Sequence, residues 1–437
     1  MVRMEKANSP HRRPRDRSRF DRIRLGLRKL GPGLVTGAAD DDPSGVATYS
    51  QVGAQFGYGM GWAILFSYPL LASIQAISAE IGSVTGMGVA QNLRRHYPRW
   101  LLQIVVNLLL IANIINLGAD LGAMGAALGL LIGGPVMVYA GLFAIVCVLM
   151  EIFMSYTSYA RVLKWSTLAL LSYVAVVFVA GVDWGKAAFG ALVPNFVFDN
   201  AHAMALVAIL GTTISPYLFF WQAGQEVEEQ HRRHVKPLCV APRRAGSELR
   251  RIRLDTMLGM GFSHLTALFI VIATAATLNA HGITHVESSA QAAEALRPIA
   301  GDFAFALFAI GIIGTGMLAV PILAGSAAYA VSESFGWVEG LDRKPREAKA
   351  FYATIAVATI AGLTLNYVGV DPIKALYWAA VVNGVLAAPL MVVMMLIATN
   401  RAVMGKLRVS GKLAAGGWLA TAVMGIVAVG FFLIRSQ

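Results

Sequence analysis

"ADDDPSGVATYSQ", residues 39–51, sits in a run of apolar sequence where a membrane helix is expected. An ionised carboxylate at the centre of a bilayer costs roughly 2.5–3.5 kcal/mol on insertion scales, and three neighbours add mutual repulsion. Proline lacks an amide donor and its ring clashes with the preceding turn, so the helix is expected to break before Pro43. Broken backbone at that depth persists only where protein or a watery cavity satisfies its polar groups. An unwound turn exposes carbonyl oxygens, and Asp adds a hard anionic oxygen; both suit Mg²⁺, Ca²⁺ and Mn²⁺. The stretch reads as a cation site on a broken helix, with Asp42, directly before the proline, as its leading ligand. On a regular helix Asp40 and Asp41 point about 100° apart, so the three carboxylates cannot all face one ion. Either one of that pair lies at the mouth of an extracellular vestibule, on the ion path, or one or both are protonated or hydrogen-bonded to helix ends.

The sequence around this stretch sets the class. The 437 residues are 57% hydrophobic and 14% charged, against about 25% charged in soluble domains. Mean hydropathy is +0.63. Apolar runs give eleven expected spans: 31–55, 58–84, 101–132, 135–155, 161–181, 202–227, 255–279, 302–331, 350–368, 375–399 and 413–434. Each is close to the roughly 20 residues that cross a bilayer core. Residues 1–30 form a basic arm without an apolar core, and residues 31–434 one transporter domain. Of the 36 Lys and Arg, all but Lys186, Arg297, Lys374 and Arg435 fall in the arm or on alternate connections. That asymmetry is the positive-inside rule, and it puts the N-terminus in the cytoplasm. The net charge of +12 is thereby explained by topology and by contact with the lipid bilayer, not by nucleic acid. A bacterial inner (plasma) membrane is the expected location. Cys147, in a span, and Cys239, in a cytoplasmic loop, occupy environments that cannot share a disulfide.

A second span is equally irregular. "GTTISPY", residues 211–217, puts proline and small polar residues in mid-membrane, five spans after the first break. Two five-helix halves related by an inverted repeat, each with a discontinuous first helix, would place a substrate site between the two breaks. The expected fold is therefore all-α, a LeuT-like 5+5 inverted repeat with broken helices one and six, plus an eleventh helix. Freed carbonyls near Thr212 and the hydroxyl of Ser215 would complete the hard-oxygen set. The alternative for Ser215 is a bond back to its own preceding turn.

At these residues the chain resembles the Nramp family of divalent metal transporters. "GPGLVTGAADDDPSGVATYSQVGAQFGYGMGW" (31–62) is similar to the family's first helix, "SAEIGSVTGMGVAQNLRRHYPRW" (78–100) to its second, and "AILGTTISPYLFF" (208–220) to its sixth. The resemblance implies a metal ligated by Asp42, by the carbonyls of Ala39 and Thr212, and at positions 45 and 215. There Gly45 replaces the family's Asn, and Ser215 its Met. Tyr217 stands where the family carries His, and Gln222 at the next His position. The proton-route Asp of helix three falls on Leu117, with Asp120 at the following acidic position. The tenth-helix Gln falls on Ala387, one turn from Asn383. Asp120 and Asn383 are thus candidates for an ion or proton path, and Asp120 is equally readable as a buried hydrogen-bond partner.

The departures share a direction. A thioether favours transition metals, and Ser in its place removes that preference. Loss of the histidines and one carboxylate removes proton carriers. The pattern resembles the Nramp-related magnesium transporters. It implies alternating-access transport of hard ions such as Mg²⁺, with Mn²⁺ also admitted and weak or no proton coupling. Gly45 and Ser215 are expected to leave room for a hydrated ion. The alternatives are a conventional proton-coupled Mn²⁺/Fe²⁺ importer and, in another class, an amino-acid symporter of the same fold. Three aspartates would repel that symporter's substrate carboxylate. An enzyme is not expected, because Ser215 has no His partner in its motif. The divalent ion is cargo, and no cofactor is expected; the oligomeric state is left open. His264 is expected to be satisfied by a neighbour. Glu226, Glu228 and Glu229 are expected to form a solvated helix end, the alternative being a cluster that attracts exiting cations.

Overall fold

In the computed structural model, residues 32–153, 171–286, 289–297, 301–369 and 371–435 are described. The basic arm and residues 154–170, which include the start of the expected fifth span, lie outside the described residues. Among the described residues the fold is all-helical. In chain order the helices used below are α1 (Pro32–Asp40), α2 (Pro43–Phe56), α3 (Gly61–Thr85), α4 (Val89–His96), α5 (Arg99–Ile132), α6 (Val136–Phe153), α7 (Leu171–Val179), α8 (Trp184–Leu192), α9 (Asn200–Thr213), α10 (Pro216–Arg232), α11 (Ala245–Thr277), α12 (Ser289–Glu294), α13 (Ala304–Phe335), α14 (Lys349–Leu365), α15 (Pro372–Thr399), α16 (Arg401–Met404) and α17 (Gly411–Arg435).

Eight described segments are long and apolar enough to cross a membrane; α9 and α10 count together as one of them. The first expected span is two short helices, and the ninth is the 17-residue α14. Helix α11 begins at Ala245, earlier than the apolar run suggested, because Arg-rich polar sequence continues the helix beyond its membrane-length core.

The helices sort into two groups. Helices α5, α6, α13 and α14 pack on one another, and α1, α2, α3, α9, α10 and α11 form the second group. Helix α15 lies between them, against both α9 and α5, and α17 covers α15 and α3. Each group combines spans from both halves of the chain in equivalent order, as a LeuT-like inverted repeat requires.

Close backbone approaches lock the second group. A Cβ at Gly37 of α1 would stand 2.2 Å from the carbonyl carbon of Gly259 in α11. One at Gly82 of α3 would stand 2.3 Å from the carbonyl oxygen of Ala223 in α10. Small residues let membrane helices approach this closely, where van der Waals packing drives association. The broken span of each half thus rests on the second span of the other half.

Candidate metal-ion site

Helix α1 ends at Asp40, and α2 starts at Pro43. Proline suits the first helical position, where its missing N–H would have had no partner. Asp42 is the N-cap, with φ −72° and ψ 171°. Its Oδ1 accepts from the Gly45 amide at 2.7 Å and the Ser44 hydroxyl at 2.6 Å. The α2 dipole adds positive potential at the same place. Asp42 is 1% exposed. The carboxylate is therefore oriented by its own turn, and Oδ2 is left facing the second broken span.

That span breaks in the same way. Helix α9 ends at Thr213, and Pro216 opens α10. Ser215 is the N-cap but makes no capping bond. Its hydroxyl donates back to the Gly211 carbonyl at 3.1 Å and to the Thr212 carbonyl at 2.9 Å. The Ser215 hydroxyl therefore serves carbonyls freed by the break. Two other groups of the second span reach the first break. The Tyr217 hydroxyl lies within hydrogen-bond distance of Asp42 Oδ2, 3.2 Å, and the Ala39 carbonyl, 3.1 Å. The Thr212 hydroxyl lies 3.4 Å from that of Ser44.

Ala39, Asp42, Gly45 and Thr212 thus converge at the meeting of the two breaks. Space at Gly45 is already shared. A Cβ there would stand 3.3 Å from Thr212 Oγ1 and 3.3 Å from the Tyr49 ring, so the threonine hydroxyl occupies ground that an Asn side chain would need. Asp40 and Asp41 turn toward α11, where Ser263 Oγ lies 2.7 Å from Asp40 Oδ2 and 3.0 Å from Asp41 Oδ1. A hydroxyl carries one proton and satisfies one carboxylate at a time. Asp120 is fully buried in α5, and neither of its carboxylate oxygens has a hydrogen-bond partner among the described residues. Asn383 exchanges amide bonds with Asn116, at 2.9 and 3.2 Å, which tie α15 to α5. Gln222 is held by Gln75 at 2.6 Å and by Thr256 at 3.0 Å.

Sequence reasoning did not anticipate the roles of Tyr217, Ser44 and Ser263. The replacement of His at position 217 was the only available signal, and it said nothing about contacts. His264 finds Ser67 and the Met260 carbonyl, both at 3.2 Å.

Of the glutamates that end α10, only Glu229 is partly exposed, paired with Arg232 at 2.6 Å; the other two are not solvated. Glu226 and Glu228 are buried. Glu226 faces Arg251 at 3.3 Å, and Glu228 accepts from the Tyr329 hydroxyl and from the Leu341 amide at 2.7 Å. The connection after α13 folds over Glu228, which apolar periodicity could not signal. Burial, with Glu333 and Glu228 nearby, pushes the Glu339 carboxyl in that connection up to about 10. On the opposite side, a cavity of about 400 Å³ opens among α2, α9 and α15. It is lined by Ala47, Gln51, Asn200, Lys374 and Tyr377, and Ala47 places it one turn beyond Pro43.

The family model described as Nramp, natural resistance-associated macrophage protein-like, matches residues 33–434. A divalent metal cation transporter MntH of Klebsiella pneumoniae (strain 342) is 26% identical over 413 residues, covering 92% of each chain. A protein of the same name from Burkholderia ambifaria is 25% identical over 414 residues, covering 93% of this chain and 88% of its own. Among solved structures, the Eremococcus coleocola manganese transporter, in complex with an aromatic bis-isothiourea substituted compound, superposes with a TM-score of 0.72. The two are 17% identical, over 99% of this chain and 89% of that one. Mhp1, a nucleobase-cation-symport-1 family transporter in a closed conformation, gives 0.59 at 14% identity, over 93% and 92%.

Proposed function

This chain belongs to the Nramp family, and from that premise we propose that it carries hard divalent cations such as Mg²⁺, with Mn²⁺ also admitted and weak or no proton coupling. It is an integral membrane protein of a transporter family, not an enzyme, and divalent metal cations are its cargo.

One observation carries the reading: among buried oxygen atoms, the Asp42 carboxylate of the first break meets the Tyr217 hydroxyl of the second at 3.2 Å, and Ser44, which donates to Asp42, lies 3.4 Å from the Thr212 hydroxyl. Such oxygens are hard donors, and carboxylate, carbonyl and water suit Mg²⁺, Ca²⁺ and Mn²⁺. The ligands are Asp42, the Ala39 carbonyl and Thr212, with Ser215 holding the unwound turn of the second break. Gly45 contributes its amide to Asp42 and no side-chain ligand. Rocking of one helix group against the other exposes Asp42 alternately to the two sides. The bilayer is a bacterial inner membrane, with the basic arm in the cytoplasm.

The test is uptake of Mg²⁺, Mn²⁺ and Ca²⁺ into proteoliposomes with a pH gradient imposed. Mg²⁺ uptake that is insensitive to the gradient is expected. Uptake restricted to transition metals, with acidification of the lumen, would replace this reading by a proton-coupled importer. Binding of an amino acid and no metal would replace it by a symporter.

A further inference from the structure

Two hydroxyls approach the Asp42 carboxylate, and they differ. Ser44 Oγ sits 2.6 Å from Oδ1, a short bond of the kind a charged acceptor draws. Tyr217 Oη stays 3.2 Å from Oδ2 and 3.1 Å from the Ala39 carbonyl. Both lengths exceed the roughly 2.7–2.8 Å typical of O–H···O bonds. The phenol proton is divided between two acceptors and held tightly by neither.

Those separations match another geometry. In an octahedral Mg²⁺ shell with metal–oxygen distances of about 2.0–2.1 Å, neighbouring ligand oxygens stand about 2.8–3.0 Å apart. Tyr217 Oη therefore stands from two expected ligands at nearly the distance that one ligand keeps from the next. The ring that carries it is fixed. Tyr217 is 1% exposed, follows Pro216 at the start of α10, and its carbonyl accepts from Ser326 of α13 at 2.9 Å.

We propose that the phenol oxygen of Tyr217 is a direct, neutral ligand of the transported divalent cation, forming one face of its coordination shell with Asp42 Oδ2 and the Ala39 carbonyl. The inference rests on the reading of Asp42 as a divalent-cation site. Ion entry needs only the O–H to turn aside, and no bond is made or broken in the ring. A third hard oxygen on a rigid ring favours an ion that demands near-ideal octahedral geometry, which is the habit of Mg²⁺. Tyr217 is then a specificity-determining residue, because an imidazole at the same place would favour transition metals.

The experiment measures KM and kcat for Mg²⁺ and Mn²⁺ with the full chain in proteoliposomes, for wild type, Tyr217→Phe, Tyr217→His and Asp42→Ala. Tyr217→Phe keeps the ring and removes only the oxygen. It should raise KM for Mg²⁺ about tenfold and leave kcat within about twofold. Tyr217→His should tilt the Mn²⁺-to-Mg²⁺ preference toward Mn²⁺ by about tenfold. An unchanged KM in Tyr217→Phe, or a loss confined to kcat, overturns the ligand assignment even when Asp42→Ala is inactive. Should Tyr217→Phe fail to fold, an unchanged ion preference in Tyr217→His overturns it. An Asp42→Ala protein that transports like wild type instead removes the site reading beneath it.

Discussion

The two broken spans solve one problem with opposite chemistry. The first break is charged: Asp42 caps the new helix, and Asp40 and Asp41 are drawn aside by Ser263. The second is neutral and self-satisfying, because Ser215 returns its hydroxyl to the carbonyls of its own preceding turn. Their supports differ too. Both pieces of the first span lie along α11, whereas the second divides, with α9 against α15 and α10 against α3. Charge is concentrated on the span that one helix carries as a unit. The neutral span supplies hydroxyls from pieces anchored to different neighbours. On the proposed function, an ion held between them would be gripped by one body and framed by another, as alternating access needs.

The sharpest way to break this contrast is to discharge the first span. Asp42→Ala should lower metal uptake more than about 100-fold, because the only charged group expected to ligate the ion is lost; proteoliposome flux with a size-exclusion check on folding decides it. Next comes support. Gly37→Leu forces a side chain into the Gly259 backbone and should lower the melting temperature of detergent-solubilised protein by several degrees, about 5 °C or more. The same substitution at Gly141 of α6, where nothing among the described residues stands within 4 Å of a Cβ, should leave it unchanged.

Neutral groups should matter less. Thr212→Val removes the hydroxyl beside Ser44 and should raise the KM for Mg²⁺ about fivefold. Ser215→Ala removes only the back-bonds, so it should cost about 1 kcal/mol of stability and change KM by less than about threefold. A Ser215 effect on KM as large as that of Asp42 would abolish the distinction between charged and self-satisfying breaks. The smallest effect is expected where the cytoplasmic connection covers the end of α10. An acid held at about 10, well above its ordinary 4.5, disfavours the fold increasingly as pH rises between those values. Glu339→Gln should therefore match wild type near pH 4 and exceed it in melting temperature by a margin that grows toward pH 9.

Much of this was legible in residue order. Pro43 and Pro216 each open a new helix, as the chemistry of a missing N–H demands. The grouping of helices follows from two irregular spans five apart. Partners across the breaks were not legible. Ser215 pointing at an ion and Ser215 bonding backward are the same letters in the same place, and only tertiary packing separates them. Gly45 seemed to promise room for a hydrated ion, yet Thr212 Oγ1 fills part of it from a segment 167 positions away. Glu226 and Glu228 look like a solvated terminus until Arg251 of α11 meets the first and the connection from α13 closes over the second. The aspartates at 40 and 41 could be read as unable to face one ion together with Asp42, but the serine that receives them lies on α11, where no local pattern announces it.

Calorimetric titration of the purified full chain with Mg²⁺, repeated on Asp42→Ala, tests most directly whether the two breaks form one cation site. One saturable binding event in the wild type, absent from the folded variant, is the predicted result. Equal binding by both proteins, or none by either, would contradict it.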